Sequence, residues 1–136
     1  MQLTLIKNDN DSKIVLYKLA RIIYAETLAS SLPAVEALAS MIGNLCCKSM
    51  QQLSDIVADR SVFESLNKNS ARHADLLIDS DNSKFQMCLR ATKRMVNGQL
   101  PDNVHGATRF HRGEISPTWA TARGYVAEID GLFFYL

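Results

Sequence analysis

Apolar residues return every three or four positions along much of the chain, and that spacing predicts helices. From Lys13 to about Leu28 the recurring positions are Leu16, Leu19, Ala20, Ile23 and Tyr24, with Lys13, Lys18 and Arg21 left for solvent. A second helix is expected from Pro33 to about Cys46, with Val35, Leu38, Ala39 and Ile42 as its buried stripe. Ser30 and Ser31 can cap it, Pro33 suits its first turn, and Glu36 complements the positive end of its dipole. A short third helix is expected around Met50–Ala58. A fourth spans Lys84–Asn97, where Phe85, Cys88, Leu89, Thr92 and Met95 share a face. Gly98 stops that helix, and Pro101 keeps it from resuming.

Residues 59–83 contain SVFESLNKNS and IDSDNS, runs rich in Asn, Asp and Ser that break any long period. They predict a long loop with one turn of helix, and loops of that length in a compact domain are often functional. The last third changes character. ATRFHR, YVAEI and LFFYL are short, aromatic and β-branched, and Asp130-Gly131 between the last two is a two-residue hairpin signal. The expected class is therefore α+β, mostly helical, with a small antiparallel sheet in the C-terminal third. There are no internal repeats and no low-complexity segments.

A chain of 136 residues is expected to form a single domain over 1–136, with 1–12 as a flexible or peripheral N-terminal segment. Fifteen basic and fourteen acidic side chains nearly cancel, and no aromatic residues interleave a basic stripe, so nucleic acid is not an expected partner. The apolar runs fall short of the roughly 18 to 20 residues of a membrane span. The start, MQLTLIKNDND, lacks the regions of a signal peptide. Cys46, Cys47 and Cys88 cannot all pair within one chain and are expected to be free, buried thiols.

Two stretches carry candidate chemistry. In LARIIYAET, Glu26 follows Ile22 and Ile23 by four and three positions, so it emerges near the apolar side of the first helix at its C-terminal end. Loss of water and the negative end of the helix dipole both disfavour its charged form. A carboxyl held partly protonated can give a proton to a leaving oxygen and later take one back. The alternative is a solvated glutamate, or one paired with Arg21. In HGATRFHRGEISPTW, residues 105–119, Phe110, His111 and Trp119 offer flat faces suited to a sugar-binding cleft. Equally, Phe110 and Trp119 can fill the core, and His111 can be a satisfied strand histidine. His73, His105 and His111 match no zinc spacing, so no metal or other cofactor is expected. A Cys88–His111 nucleophilic pair is a minor candidate, since a thiol on an apolar helix face is normally inert.

LARIIYAE, VEALASMIGN, SVFESLN, FQMCLRATKRMVNGQLPD, GATRFH, SPTWA and LFFY, in this order and spacing, resemble the SleB/CwlJ type of bacterial cell-wall hydrolase, the family of spore-cortex-lytic enzymes. The resemblance runs from about Leu19 to Leu136. It implies a lysozyme-like, mostly helical domain with a small sheet beside a groove, and an enzyme that cuts peptidoglycan glycan strands. Glu26, in the YAE motif, is then the acid/base. The implied chemistry is similar to that of lytic transglycosylases, in which one carboxyl suffices and the product is a 1,6-anhydro sugar. Tyr24, Glu64, Phe110, His111 and Trp119 would line or support the groove, although Tyr24 and Trp119 could equally be core. Glu36, Glu64 and Glu114 are the candidates for a second carboxylate.

The chain departs from the family pattern at several points. Thr27-Leu28-Ala29-Ser30 replaces a small residue, Arg and Gly after the glutamate; Leu45 stands for the Arg after Asn44; Leu66 replaces a tryptophan; and Arg109 replaces the first strand histidine. The rival expectations are a hydrolytic muramidase or glucosaminidase, or a peptidoglycan-binding module without turnover. Cleavage of the stem peptide is a weaker one. All but the last keep the glycan strand as partner, and all place the action at the cell wall, in the periplasm or outside. That location requires a phage-derived or dedicated secretion route, or a segment preceding Met1.

Overall fold

A computed structural model describes residues 9–49 and 52–136. Helix α1 (Asp9–Thr27) is followed by α2 (Leu32–Ser49), the short α3 (Leu53–Ile56) and α4 (Ser83–Val96). Strands β1 (Arg109–Arg112), β2 (Tyr125–Ile129) and β3 (Leu132–Tyr135) close the chain as a three-stranded antiparallel sheet in the order β1-β3-β2. The fold is α+β, as the periodicity predicts. Among the described residues no helix is long and apolar enough to cross a membrane.

The expected stripe of α2 is fully buried, but burial extends around most of the helix: Ala34, Ala37, Met41 and Ser40 are also enclosed. Gly43 lets Met95 of α4 come close; a Cβ there would meet the Met95 side chain at 3.2 Å. Ser31 caps α2, its Oγ accepting from the Ala34 N–H at 3.3 Å. Glu36 lies beyond the first turn and pairs with Arg94 of α4 at 2.6 Å, so its role is to tie two helices together rather than to offset a dipole. All five residues predicted for the buried face of α4 are buried. Asn82 caps α4 by accepting from the N–H groups of Lys84 and Phe85.

Helix α1 packs on α4 and α2, burying Leu19, Ala20, Ile22, Ile23 and Ala25. It begins at Asp9, so Asp9–Ser12 belong to the helix, while residues 1–8 lie outside the described residues. Met50, the expected start of α3, also lies outside them. Arg21, expected in solvent, donates from Nε to the Ile78 carbonyl at 3.2 Å and lies 5.1 Å from the centre of the Phe85 ring. The long segment between α3 and α4 holds two 3-10 turns, Glu64–Leu66 and His73–Leu77, which pack against α1.

The hairpin forms at Asp130-Gly131, both in the left-handed region at φ of 52° and 87°. That geometry matches the twist of the flanking strands. Alternation along β1 places Phe110 and Arg112 on its buried side. Cys46 and Cys88 are buried as expected, and burial pushes both thiols up to about 12, with Cys47 adding to the effect at Cys46. Cys47 corrects the third assignment. One residue further along α2, it turns outward and is exposed.

Candidate active site

Helix α1 ends immediately after Glu26, and the ending is built from local bonds. Thr27 Oγ1 donates to the Ile23 carbonyl at 2.7 Å and accepts from the Ala29 N–H at 3.0 Å. Leu28 and Ala29 then turn the chain through the left-handed region, at φ of 52° and 49°. This region costs a non-glycine residue roughly 1–2 kcal/mol. The chain therefore leaves the helix sharply, and Glu26 is held in its last turn with its side chain 1% exposed.

Both carboxylate oxygens of Glu26 are engaged. Oε2 accepts from the backbone N–H of Ser65 at 2.9 Å, in the first 3-10 turn, and Oε1 accepts from Arg112 Nη1 at 2.6 Å. The pairing with Arg21 is thus corrected: the partner comes from β1. Arg112 is itself the hub of a larger cluster. Its Nη2 pairs with Glu64 Oε1, and its Nε donates to Glu114 Oε1 at 2.8 Å. Ser70 Oγ donates to Glu64 Oε1 at 2.7 Å, and Arg72 approaches Glu114 at 3.6 Å.

The electrostatics follow from this crowding. Burial alone lowers the pKa of Arg112, but Glu26, Glu64 and Glu114 outweigh it and raise it, so the guanidinium keeps its charge. Burial pushes the Glu64 carboxyl up, yet the hydrogen bonds from Ser70 and Arg112 and the Arg112 charge hold it below its ordinary value. At Glu114 burial is likewise outweighed by the Arg112 hydrogen bond, a backbone bond and the charges of Arg112 and Arg72, and its value is lowered.

Two cavities meet at the Glu26–Arg112 pair, which lines both. The first, about 190 Å³, is walled by Val62, Phe110, Ile115, Pro117 and Trp119, with Glu64, Arg60 and His111 among its polar groups. The second, about 250 Å³, is lined by charged and small groups that include Arg72, Glu114, Asp130 and Ser30.

The residues predicted from sequence separate into two groups. Glu64, Phe110, His111 and Trp119 share the first cavity with Glu26. Phe110 is 7% exposed and also packs on Phe63 and Phe134, so it serves wall and core together. The His111 ring stacks on Phe133 and Tyr135, and Trp119 stands edge-on to both His111 and Tyr135. Both ring nitrogens of His111 have partners, the Arg112 carbonyl at 2.9 Å and the Tyr135 hydroxyl at 3.1 Å. That arrangement and the core position of Cys88 leave the Cys88–His111 pair without support. Tyr24 lines neither cavity; it is half-buried and packs against the core.

Sequence reasoning missed Arg112. Alternation puts Arg112 on the same face as Phe110, but no local pattern marks an arginine there as buried or names its partners.

Residues 48–135, more than half of the chain, match the Cell Wall Hydrolase family. Glu64, Phe110, His111, Arg112, Glu114 and Trp119 fall inside the matched span, and Glu26 precedes it. No curated protein and no solved structure matches the chain.

Proposed function

The chain belongs to the cell wall hydrolase family, and from that premise we propose that it cleaves the glycan strands of peptidoglycan as a lytic transglycosylase of the SleB/CwlJ type, with Glu26 as its single acid/base. The observation that carries this reading is the position of Glu26, enclosed at the seam between an aromatic cavity and a charged one. A strand lying across both would bring a glycosidic oxygen to that carboxyl. Aromatic walls suit the apolar faces of sugar rings.

In the proposed reaction the protonated Glu26 carboxyl gives its proton to the glycosidic oxygen as the bond from C1 to that oxygen breaks. The resulting carboxylate then takes the proton of the sugar's own C6 hydroxyl as O6 bonds to C1. Glu26 returns to its starting form, and no water is consumed. The product ends in a 1,6-anhydro sugar.

One observation favours a second reading. Glu64 shares the Arg112 guanidinium with Glu26, which brings a second carboxylate into the same cavity. Two flanking carboxylates are the equipment of a hydrolytic glycosidase. Digestion of sacculi in ¹⁸O-water separates the two readings by mass. Anhydro ends without ¹⁸O support the transglycosylase, and ¹⁸O-labelled reducing ends establish hydrolysis in its place.

A further inference from the structure

The cluster around Glu26 is organised by one cation. Arg112 is 4% exposed, and its three donor groups each go to a different carboxylate: Glu26 on α1, Glu64 on the first 3-10 turn, and Glu114 just after β1. A guanidinium offers a planar fork that point charges lack, so three separate directions are satisfied at once. We propose that Arg112 is the positioning residue of the cleavage site, holding the Glu26 carboxyl in a single orientation at the seam between the cavities and balancing the charge that appears there when Glu26 gives up its proton. The inference rests on the glycan-cleavage reading above and assigns the residue that makes Glu26 competent.

The geometry gives this role two parts. The Ser65 N–H fixes Oε2 and Arg112 Nη1 fixes Oε1, so the carboxyl is held from both sides in one orientation. As Glu26 becomes neutral it loosens its hold on Arg112, but Nη2 and Nε remain anchored by Glu64 and Glu114. The guanidinium therefore stays in place through the cycle, and it faces the new carboxylate as soon as proton transfer has occurred. A fixed positive group aimed at charge that develops during a reaction needs no reorganisation when that charge forms.

Other charged and titratable groups also face the cluster. Arg72 lies against Glu114; Arg60 and His111 line the first cavity, and Asp130 of the hairpin lines the second. Among the described residues none of these makes an ion pair with Glu26; substitution of Arg112 removes its contacts to Glu26, Glu64 and Glu114 together.

The test compares wild type, Arg112→Lys and Arg112→Met. It measures release of soluble glycan fragments from sacculi against pH, with binding of solubilised glycan fragments followed by Trp119 fluorescence and folding by circular dichroism. Arg112→Met is expected to cleave about 10²-fold more slowly, with binding changed little and the pH–rate profile moved to higher pH. Arg112→Lys, which keeps charge but loses the fork, is expected to fall between the two and to secure the test if the Met variant does not fold. Folded variants that bind and cleave like wild type, with the same profile, overturn the inference and leave the glycan-cleavage reading standing. A wild-type protein that binds fragments but releases none overturns both.

Discussion

Glu26 and Arg112 stand 86 positions apart in the chain and meet at 2.6 Å, with side chains 1% and 5% exposed. Taking two charges out of water is expensive, and the pair persists only because every direction of the guanidinium finds a carboxylate and the second oxygen of Glu26 finds a backbone N–H. Losing one partner leaves the other charge buried. Arg112→Met is therefore expected to destabilise the fold by about 3–5 kcal/mol. Glu26→Gln, which keeps one acceptor, is expected to cost about 1–3 kcal/mol. Denaturant unfolding of both variants checks the order, and an Arg112→Met protein as stable as wild type contradicts the buried pairing.

The acid side of the stability curve should report Glu64 and Glu114. Both are lowered from the ordinary value of 4.5, so their contribution is fully present above that pH and is lost as the pH falls through their lower folded values. Melting temperature is expected to fall below pH 4.5, and the double variant Glu64→Gln/Glu114→Gln to fall less steeply over the same window. An unchanged acid slope in the double variant means that these carboxyls are not held by Arg112 in solution.

The helical part of this fold was legible because burial on a helix follows a period of 3.6, and Val35, Leu38, Phe85 and Cys88 obey it. The hairpin was legible because Asp130-Gly131 supplies the two left-handed residues that the turn requires. The charge hub was not. Composition rules assign arginine to solvent, and Arg112 is buried only because partners from positions 26, 64 and 114 converge on it, a meeting that no local pattern encodes. Cys47 was misassigned for a related reason: helix α2 continues to Ser49, so two adjacent cysteines point about 100° apart. Glu26 itself was placed at the end of an apolar helix face by periodicity, and the role proposed for it came from the resemblance.

Thiol chemistry should separate the three cysteines. Cys46 and Cys88 are buried, with thiols pushed up to about 12, whereas Cys47 is exposed. A disulfide-exchange reagent at neutral pH is expected to label Cys47 in the native protein and all three after denaturation. Rapid native labelling of Cys88, located by peptide mass mapping, contradicts the packing of α4 into the core.

Trp119 is the chain's single tryptophan, and it lines the aromatic cavity. Its fluorescence is therefore expected to change when solubilised glycan fragments bind. Trp119→Phe retains a ring but loses area, and Trp119→Ala removes the face altogether. The alanine variant is expected to bind about 2- to 13-fold more weakly, from about 0.5–1.5 kcal/mol of aromatic contact. Equal affinity of wild type and Trp119→Ala, measured by calorimetry, places the sugar elsewhere.

The central claim is that Glu26 cleaves the glycan strand, and it is tested most directly by mass spectrometry of the soluble fragments that wild type and Glu26→Gln release from the same sacculi. The account predicts fragments ending in 1,6-anhydromuramic acid from wild type, and release slowed by about 10²- to 10⁴-fold in a folded Glu26→Gln protein. Release at the wild-type rate by that variant contradicts it.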